Sequence, residues 1–227
     1  MSGAPRVGVV IATLNAERYL ATALESVNAQ TFGEIEAIVV DGGSSDGTAE
    51  IAAGLGARVL RQRGSGLFEA WNEGLEEIRG ELFALLDSDD RWEPDKIELQ
   101  VAALDDDPGL DYVIGYARHF LEPGMPPPPG FRPEIVEREL PAPMPGALLA
   151  RRRVLDVVGP FRTEYEIASD IDWFARLKDS GLRSRVVPGA LVHKRMHDSN
   201  LSHFQAENMN AEILALIRRS IARRRAS

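Results

Sequence analysis

The stretch Val7-Gly8-Val9-Val10-Ile11-Ala12-Thr13-Leu14-Asn15 decides the fold class of this chain. Apolar and largely β-branched residues run without a polar interruption from Val7 to Ala12, and polar residues follow at once. Such a run predicts a strand that is buried on both faces of a parallel sheet, because a half-exposed strand would alternate apolar and polar residues.

The chain after this strand continues as alternating helices and strands. Apolar side chains recur three or four residues apart between Tyr19 and Val27, which predicts a helix that Asn15 could cap. Ile35 to Val40 and Leu82 to Leu86 predict two further buried strands. Weaker patterns predict helices that start near Ser45 and span 67–78 and 94–104, and strands at 57–60 and 112–120. The alternation predicts an α/β fold, a Rossmann-like, mostly parallel sheet flanked by helices.

The second half of the chain begins with a proline-rich excursion at 123–145. After it, the pattern predicts a short basic helix from Leu148, a helix at 168–177, a strand near 185–187 and a last helix at 206–225. We expect a nucleotide-sugar-binding half at 1–120, an acceptor-binding and catalytic-base half of the same domain at 121–205, and a C-terminal helix at 206–227.

Composition excludes several classes of function. A formal net charge of −9 disfavours a nucleic-acid partner, which needs a cationic surface. The absence of cysteine excludes disulfides, thiolate metal sites and a cysteine nucleophile, so any metal must bind oxygen or imidazole. No stretch approaches the roughly 20 apolar residues of a membrane-spanning helix. We therefore expect a cytoplasmic protein.

Asp87-Ser88-Asp89-Asp90 follows the apolar strand Leu82 to Leu86 and places three carboxylates within one turn. Their mutual repulsion is unfavourable unless a cation compensates it. Mg²⁺ and Mn²⁺ bind carboxylate oxygens and keep positions open for phosphates, so this pattern predicts a metal site. The alternative is an acidic turn in which Asp90 caps the helix that begins near Pro94.

A second strand-terminal acid lies in the loop Asp41-Gly42-Gly43-Ser44-Ser45-Asp46-Gly47-Thr48. Its glycines allow a ligand to approach the backbone, and a carboxylate there could accept hydrogen bonds from a base or a ribose. The alternative is a glycine-rich turn with Ser45 or Asp46 as a helix cap. Because ligands of parallel sheets bind at the carboxyl ends of the strands, Thr13 to Asn15, Asp41 and Asp87 to Asp90 should converge.

The order and spacing of these segments resemble the motifs of family-2 glycosyltransferases. The resemblance is carried by Ile11 to Asn15, Ser26 to Phe32, Val39 to Thr48, Leu85 to Asp90, Gly146 to Leu149, Val158 to Phe161 and Ser169 to Trp173. Three positions depart from the family pattern. Ala12 stands in place of a usual proline, Gly42 in place of a second acid, and Ser169 in place of a glutamate.

The resemblance implies a GT-A fold and an inverting transfer of sugar from a nucleoside-diphosphate sugar, with a UDP-sugar favoured. The acceptor would be a hydroxyl of a saccharide, a lipid-linked sugar or a peptide. The donor-contacting residues implied by the resemblance are Thr13, Leu14, Asn15, Asp41, Asn72, Asp87 and Ser88. Asp89 and Asp87 would bind Mn²⁺ or Mg²⁺, and His197, in the segment Arg195-Met196-His197, could complete that metal site.

Inverting transfer needs a general base that takes the proton of the acceptor hydroxyl. By the resemblance this base is Asp170, in Ser169-Asp170-Ile171-Asp172. From the residues alone, Asp170 and Asp172 could instead be acids that interact with the dipole of a helix N-terminus.

Three other functions remain open at this point. A sugar nucleotidyltransferase would need a glycine-rich loop with Arg or Lys after the first strand, which Thr13-Leu14-Asn15-Ala16 does not provide. A non-catalytic nucleotide-sugar-binding or scaffolding protein is suggested by the departures at Gly42 and Ser169. A phosphatase would use Asp87 as its nucleophile. The arginines of the C-terminal helix predict either peripheral contact with an anionic membrane or a solvated helix face.

Overall fold

The computed structural model of the chain describes residues 4–122, 124, 139–197, 212–214 and 216. The strands in this part are β1 (Val7–Thr13), β2 (Ile35–Asp41), β3 (Arg58–Arg61), β4 (Leu82–Leu85), β5 (Arg91–Trp92), β6 (Tyr112–Leu121), β7 (Leu140–Pro141), β8 (Leu148–Arg151) and β9 (Ser184–Met196). The helices are α1 (Leu20–Asn28), α2 (Thr48–Gly54), α3 (Leu67–Glu76), α4 (Lys96–Asp106), α5 (Arg153–Val158) and α6 (Ser169–Asp179). A 3-10 turn lies at Pro145–Ala147.

A single sheet runs through the described residues in the order β3-β2-β1-β4-β8-β6-β9-β5, and β7 pairs with β6 beside this path. The first four strands of this order are parallel to one another. β1 is buried at every position, because α1 packs on one of its faces and α3 on the other. The strand that decided the fold class therefore lies at the centre of the parallel half, as predicted.

The sheet reverses direction where the two halves of the chain meet. β8 inserts between β4 and β6 and is antiparallel to both, with Phe83 opposite Ala150 and Val113 opposite Leu149. The predicted basic helix from Leu148 is thus wrong at its start, because residues 148–151 complete the sheet and the helix begins only at Arg153.

The strand predicted near 185–187 is much longer, running from Ser184 to Met196. Pro188 and Gly189 interrupt its apolar pattern, and Gly189 has a positive φ of 99°. Register shifts between β6 and β9 near Tyr116 absorb this irregularity, so the parallel pairing resumes and continues to Met196. The extension matters because it carries residues 193–197 to the edge where β1, β2 and β4 end.

The helix cap predicted at Asn15, and the cap at Asp90 given as the alternative to a metal site, are both wrong. Helix α1 begins at Leu20, and no side chain caps it at Tyr19. Asn15 adopts a left-handed φ of 50°, and its side-chain oxygen accepts the N–H of Ser45 instead. Likewise, α4 has Asp95 at its N-cap position without a side-chain bond, whereas Asp90 is completely buried elsewhere.

The C-terminal helix is partly described. Residues 212–214 and 216 are helical, and Ile213 and Leu216 of the predicted apolar stripe pack against Tyr165 and Ala168. The arginines at 218–225, and most of the proline-rich segment with its run at 126–129, lie outside the described residues. Across the described part, none of the helices has the length and apolar character that crossing a bilayer requires.

Candidate active site

The loops that follow β1 and β2 are bonded to each other at the carboxyl edge of the sheet. The N–H of Gly42 donates to the carbonyl of Thr13 at 2.8 Å, and the N–H of Ser45 donates to Oδ1 of Asn15 at 2.9 Å. The hydroxyl of Ser44 accepts the N–H of Asn15 at 2.8 Å. The predicted convergence of these two strand ends is confirmed.

Within these loops, Asp41 and Thr13 occupy opposed register positions on neighbouring strands. The carboxylate of Asp41 accepts the backbone N–H of Ser44 at 3.2 Å, which turns the loop back over the strand end. The hydroxyl oxygen of Thr13 is buried without a hydrogen-bond partner among the described residues. An unpaired buried hydroxyl costs about 1–3 kcal/mol, so this position fits a ligand that supplies a polar group.

Gly42, one of the departures from the family pattern, lies close to two polar groups. A Cβ at this position would lie 3.1 Å from the side-chain oxygen of Gln62 and 3.3 Å from the carbonyl of Thr13. A second acid at this position would require small shifts of both groups. The alternative reading of the loop as a helix start is also partly correct, because Asp46 accepts the N–H of Thr48, the first residue of α2, at 3.1 Å.

Asp87, Asp89 and Asp90, hereafter the aspartate cluster, follow β4 at the same edge. One oxygen from each side chain lies within 4.8 Å of the other two. Asp90 is fully buried, and its Oδ1 accepts the N–H of Arg195 at 2.8 Å. Burial, together with the charges of Asp87 and Asp89, raises the pKa of Asp90 to about 8, although Lys194 opposes this. Asp90 is therefore held by the protein, whereas Asp87 and Asp89 are partly exposed.

Lys194 neutralises part of the aspartate cluster. Its Nζ lies 3.1 Å from Asp87 and 3.3 Å from Asp90. Burial lowers the pKa of Lys194, but the carboxylates of Asp90, Asp87 and Asp89 more than offset this and hold it above its ordinary value. Nothing in the sequence indicated this role, because Lys194 lies 107 positions from Asp87 in a stretch that reads as a solvated basic run.

His197 reaches the aspartate cluster through Asp89. Its Nε2 lies 2.9 Å from Oδ2 of Asp89, and its ring lies 4.5 Å from the ring of Tyr19. Burial alone would raise the pKa of Asp89, but the hydrogen bond from His197 and the charge of Lys194 hold it below its ordinary value. His197 thus lies beside the aspartate cluster, and its role as a metal ligand stays a prediction.

Arg195 and Tyr19 form one wall of the site. The guanidinium of Arg195 lies 4.9 Å from the ring centroids of Tyr19 and Phe120, and its Nε donates to the carbonyl of Asp89 at 2.9 Å. The Tyr19 hydroxyl donates to Glu122 at 2.9 Å. Neither Tyr19 nor Glu122 was predicted to lie here, because Tyr19 has the pattern of an apolar helix position and Glu122 belongs to no motif.

Asp170 lies in the first turn of α6. Burial and the negative charge of Asp87 raise its pKa to about 6, while a hydrogen bond from the N–H of Ile171 acts in the opposite direction. The neighbouring Asp172 is only 1% exposed and bonds to Arg162 at 3.2 Å and Arg176 at 2.7 Å. Asp172 therefore anchors the helix, whereas the role of Asp170 as the base stays a prediction.

The remaining predicted donor contacts differ in what surrounds them. Leu14 is 61% exposed at the loop after β1, and Ser88 is partly buried within the Asp87–Asp90 turn. The side chain of Asn72 donates to the carbonyl of Phe161 at 2.8 Å and accepts the Phe161 N–H at 2.9 Å. Both ends of this amide are thus engaged by the backbone, so the role of Asn72 as a pocket wall stays a prediction.

Three side chains, Trp92, Lys96 and Gln100, fix the turn at Pro145–Ala147 and the residue after it. Trp92 donates to the carbonyl of Gly146 at 2.9 Å, and Gln100 donates to that of Ala147 at 2.8 Å. Lys96 lies 3.5 Å from the carbonyl of Leu148 and 2.7 Å from Gln100. Burial lowers the pKa of Lys96 well below its ordinary value. The path of this turn is therefore fixed by the core.

The aspartate cluster has the ligand chemistry of a divalent metal site. Its three carboxylates supply hard oxygen atoms, which suit Mg²⁺ and Mn²⁺. Asp87 and Asp89 are partly exposed, and the imidazole of His197 lies against Asp89. The residues present therefore fit such an ion, provided that Lys194 shares or yields its contact with Asp87.

Comparison with known proteins agrees with this chemistry. The family model described as Glycosyl transferase family 2 matches residues 8–159. EpsH of Bacillus subtilis (strain 168), named as a glycosyltransferase, is 37% identical over 125 residues, which cover 53% of this chain and 36% of EpsH. The chain thus spans about a third of the length of that relative.

Two solved structures share the fold. The mannosyltransferase PcManGT from Pyrobaculum calidifontis, in complex with GDP-Man and Mn²⁺, has a TM-score of 0.71 at 19% identity and covers 97% of this chain and 65% of its own. Glucosyl-3-phosphoglycerate synthase from Mycobacterium tuberculosis, in complex with Mn²⁺, UDP and phosphoglyceric acid, has a TM-score of 0.65 at 22% identity, covering 93% and 76%. These likenesses confirm the predicted GT-A fold.

Proposed function

The chain belongs to glycosyl transferase family 2, and from this membership we propose that it transfers a sugar from a nucleoside-diphosphate sugar to an acceptor hydroxyl, with inversion, at the aspartate cluster. The observation that carries the proposal is the position of that cluster. It lies where parallel strands end, beside the loops of Thr13 and Asp41, and within electrostatic reach of Asp170. A donor bound across this edge would meet acids on both sides of its reacting carbon.

The donor diphosphate would lie at the aspartate cluster. Asp87 and Asp89 would hold Mn²⁺ or Mg²⁺, with His197 beside them, and such an ion supplies positive charge to the leaving diphosphate. Lys194 and Arg195 bring two further positive charges to the same place. These cations stabilise negative charge that grows as the diphosphate departs, which is where electrostatic catalysis is most effective.

The nucleoside would bind along the ends of β1 and β2. The unpaired hydroxyl of Thr13 and the carboxylate of Asp41 offer polar contacts to a base and a ribose, and Asn15, Leu14 and Asn72 would complete the pocket. We favour a UDP-sugar, because UDP is bound in the structurally similar glucosyl-3-phosphoglycerate synthase from Mycobacterium tuberculosis. The acceptor would be a saccharide, a lipid-linked sugar or a peptide, and the half at 121–205 would bind it.

Asp170 would act as the general base. A base must be ionised at the working pH and still basic enough to accept a proton, and a pKa of about 6 meets both conditions near neutrality. In the displacement, the acceptor oxygen forms a bond to the anomeric carbon while the bond to the diphosphate breaks. The acceptor proton passes to a carboxylate oxygen of Asp170.

A panel of UDP-, GDP-, dTDP- and CMP-sugars with and without Mn²⁺ tests the proposal. We expect metal-dependent thermal stabilisation by one nucleotide class, followed by transfer to an acceptor with that donor. Asp89→Asn should remove the metal-dependent stabilisation, and Asp170→Asn should abolish transfer while donor binding persists. Asp156→Asn, an exposed acid on α5, is the matched control and should change neither.

Three results would contradict the proposal or one of its assignments. Stabilisation by none of these nucleotide sugars with Mn²⁺ would exclude the donor site. Donor binding by a chain that transfers no sugar to any of a broad set of acceptors would instead favour a binding or scaffolding protein. Full transfer activity in Asp170→Asn would exclude Asp170 as the general base.

A further inference from the structure

A carboxylate from the C-terminal helical segment binds the backbone that leads into helix α6. The side chain of Glu212 accepts the N–H of Glu166 at 2.8 Å, of Ile167 at 3.1 Å and of Ala168 at 2.8 Å. Three consecutive N–H groups thus converge on one side chain that lies more than 40 positions away in the chain. This arrangement fixes the conformation of residues 166–168.

These N–H groups lie at the start of the helix that carries Asp170. Ala168 is the N-cap residue of α6, and its carbonyl accepts the N–H of Asp172 at 3.0 Å to begin the helical ladder. The side chains of α6 itself do not cap this end. An acidic side chain bound to backbone N–H groups at a helix start is favourable, because these groups carry partial positive charge. Of the three N–H groups that Glu212 binds, only that of Ala168 belongs to the helix start, so Glu212 fixes the chain that enters α6 rather than replacing a cap of its first turn.

The opposite side of the same turn is anchored to the domain core. Asp172 bonds to Arg162 and Arg176, and the adjacent Trp173 is fully buried and stacks on Phe161 at 5.1 Å between ring centroids. Asp170 lies two residues after Ala168 and two residues before Asp172. Its direction is therefore set by two anchors, of which one is the core and the other is Glu212.

Apolar contacts hold the segment that carries Glu212 in place. Ile213 and Leu216 pack against Tyr165 and Ala168, whereas Leu214 is 55% exposed. These apolar contacts and the hydrogen bonds of Glu212 both involve the short stretch at 165–168. The segment thus docks directly behind the start of α6.

We propose that Glu212 is a positioning residue for Asp170, and that the C-terminal helical segment is thereby a required part of the transfer site. This rests on the proposed function, since it assigns Asp170 as the base. Glu212 does not touch the reacting atoms. It holds residues 166–168, and through them the first turn of α6, so that the carboxylate of Asp170 faces the acceptor hydroxyl.

Glu212→Ala and Glu212→Gln test the proposal. Glutamine keeps the shape and one acceptor oxygen, so we expect activity in the order wild type, Glu212→Gln, Glu212→Ala. Misplacing a catalytic group by about 1 Å lowers the rate by about 100-fold, so a fall in kcat of about 10- to 100-fold is expected for alanine. Leu214→Ala, on the exposed side of the same segment, is the matched control and should keep the wild-type kcat.

The readouts separate positioning from general loss of structure. Binding of UDP with Mn²⁺ and the KM for the donor should stay within about two-fold of wild type, because the donor contacts lie on β1, β2 and β4. Hydrogen exchange at the amides of 166–172 should accelerate in Glu212→Ala, while exchange in β1 stays unchanged. A parallel loss of UDP binding and kcat would overturn the positioning role.

The two proposals fail in different ways. A wild-type chain that transfers no sugar contradicts the proposed function, whatever Glu212 does. A Glu212→Ala chain with wild-type kcat and accelerated exchange at 166–172 contradicts the positioning role alone. Equal kcat values for Glu212→Gln and Glu212→Ala, both at the wild-type level, lead to the same rejection.

Discussion

Replacement of Lys194 by methionine should strengthen metal binding. Methionine has a similar length but no charge, so it leaves the aspartate cluster without the ammonium that lies 3.1 Å from Asp87 and 3.3 Å from Asp90. An incoming Mn²⁺ must share these carboxylates with Lys194 in the wild-type chain. In Lys194→Met it meets one more uncompensated negative charge and no competing cation.

The size of the effect follows from the contact distances. An opposite charge within about 4–6 Å shifts a carboxylate pKa by about 1–3 units, and because Lys194 keeps some solvent contact we use the lower limit, about tenfold in the Kd for Mn²⁺. Tenfold corresponds to about 1.4 kcal/mol. For a chain of this size that adds roughly 3–6 °C to the Mn²⁺-induced rise in Tm.

The metal-free variant should be less stable than the wild type. Asp90 is fully buried, and removing one partner of a buried ion pair costs about 3–5 kcal/mol. We therefore expect Lys194→Met to have a lower Tm without metal and a larger rise when Mn²⁺ is added. Asp90 has a pKa of about 8, and loss of Lys194 raises this pKa further. Protonation of Asp90 limits the loss of stability, so a milder decrease is expected below about pH 8 than above it.

Isothermal titration with Mn²⁺ and thermal unfolding with and without Mn²⁺ measure both quantities without any sugar donor. Lys178→Met removes the same charge from an exposed position on α6 and should leave the Kd unchanged. Lys194→Arg keeps the charge and should resemble the wild type. A folded Lys194→Met chain whose Mn²⁺ affinity equals or falls below that of the wild type would refute the reasoning.

Three further predictions concern pH and packing. First, kcat/KM should fall as the pH drops through about 6, because Asp170 must be ionised to accept a proton, and about a tenth of the activity should remain at pH 5; a profile that is flat from pH 7 to 5 would exclude Asp170 as the base. Second, folding lowers the pKa of Lys96, so between that lowered pKa and about 10.5 the unfolded chain binds one more proton than the folded chain. In this pH range the free energy of unfolding should rise with pH by up to about 1.4 kcal/mol per pH unit. Urea unfolding at several pH values should show this slope in the wild type and lack it in Lys96→Met. Third, a Cβ at Gly74 would lie 2.3 Å from Val10, so Gly74→Ala should lower the free energy of unfolding by about 1–3 kcal/mol, and an unchanged urea midpoint would disprove this close contact between α3 and β1.

Buried parallel strands and the polar residues at their ends were predictable from the sequence. Val7 to Ala12 and Leu82 to Leu85 are apolar at every position, and this is what burial on both faces requires. The strand that follows the proline-rich segment was not predictable. Leu148 to Arg151 is a short apolar run next to three arginines, and only its pairing with β4 and β6 decides that it is a strand.

The aspartate cluster was predictable, but what holds it was not. Asp87, Asp89 and Asp90 are adjacent in sequence and follow a buried strand, so their position needed no tertiary information. Lys194 comes from a strand whose pattern breaks at Pro188 and Gly189, and its contact with Asp87 depends on register shifts that end at Val192, just before it. Glu212 likewise carries no local signal, because its hydrogen-bond partners lie more than 40 positions earlier.

The insertion of β8 between β4 and β6 also constrains how the chain can be made. As the polypeptide leaves the ribosome, β1 to β4 can pair, but β4 keeps one edge without its neighbour until residues 148–151 have been synthesised. An unpaired strand edge invites association with other chains. The half at 1–120 is therefore not expected to mature as an independent unit during translation, and a nascent chain arrested near residue 120 should depend on chaperones to remain soluble.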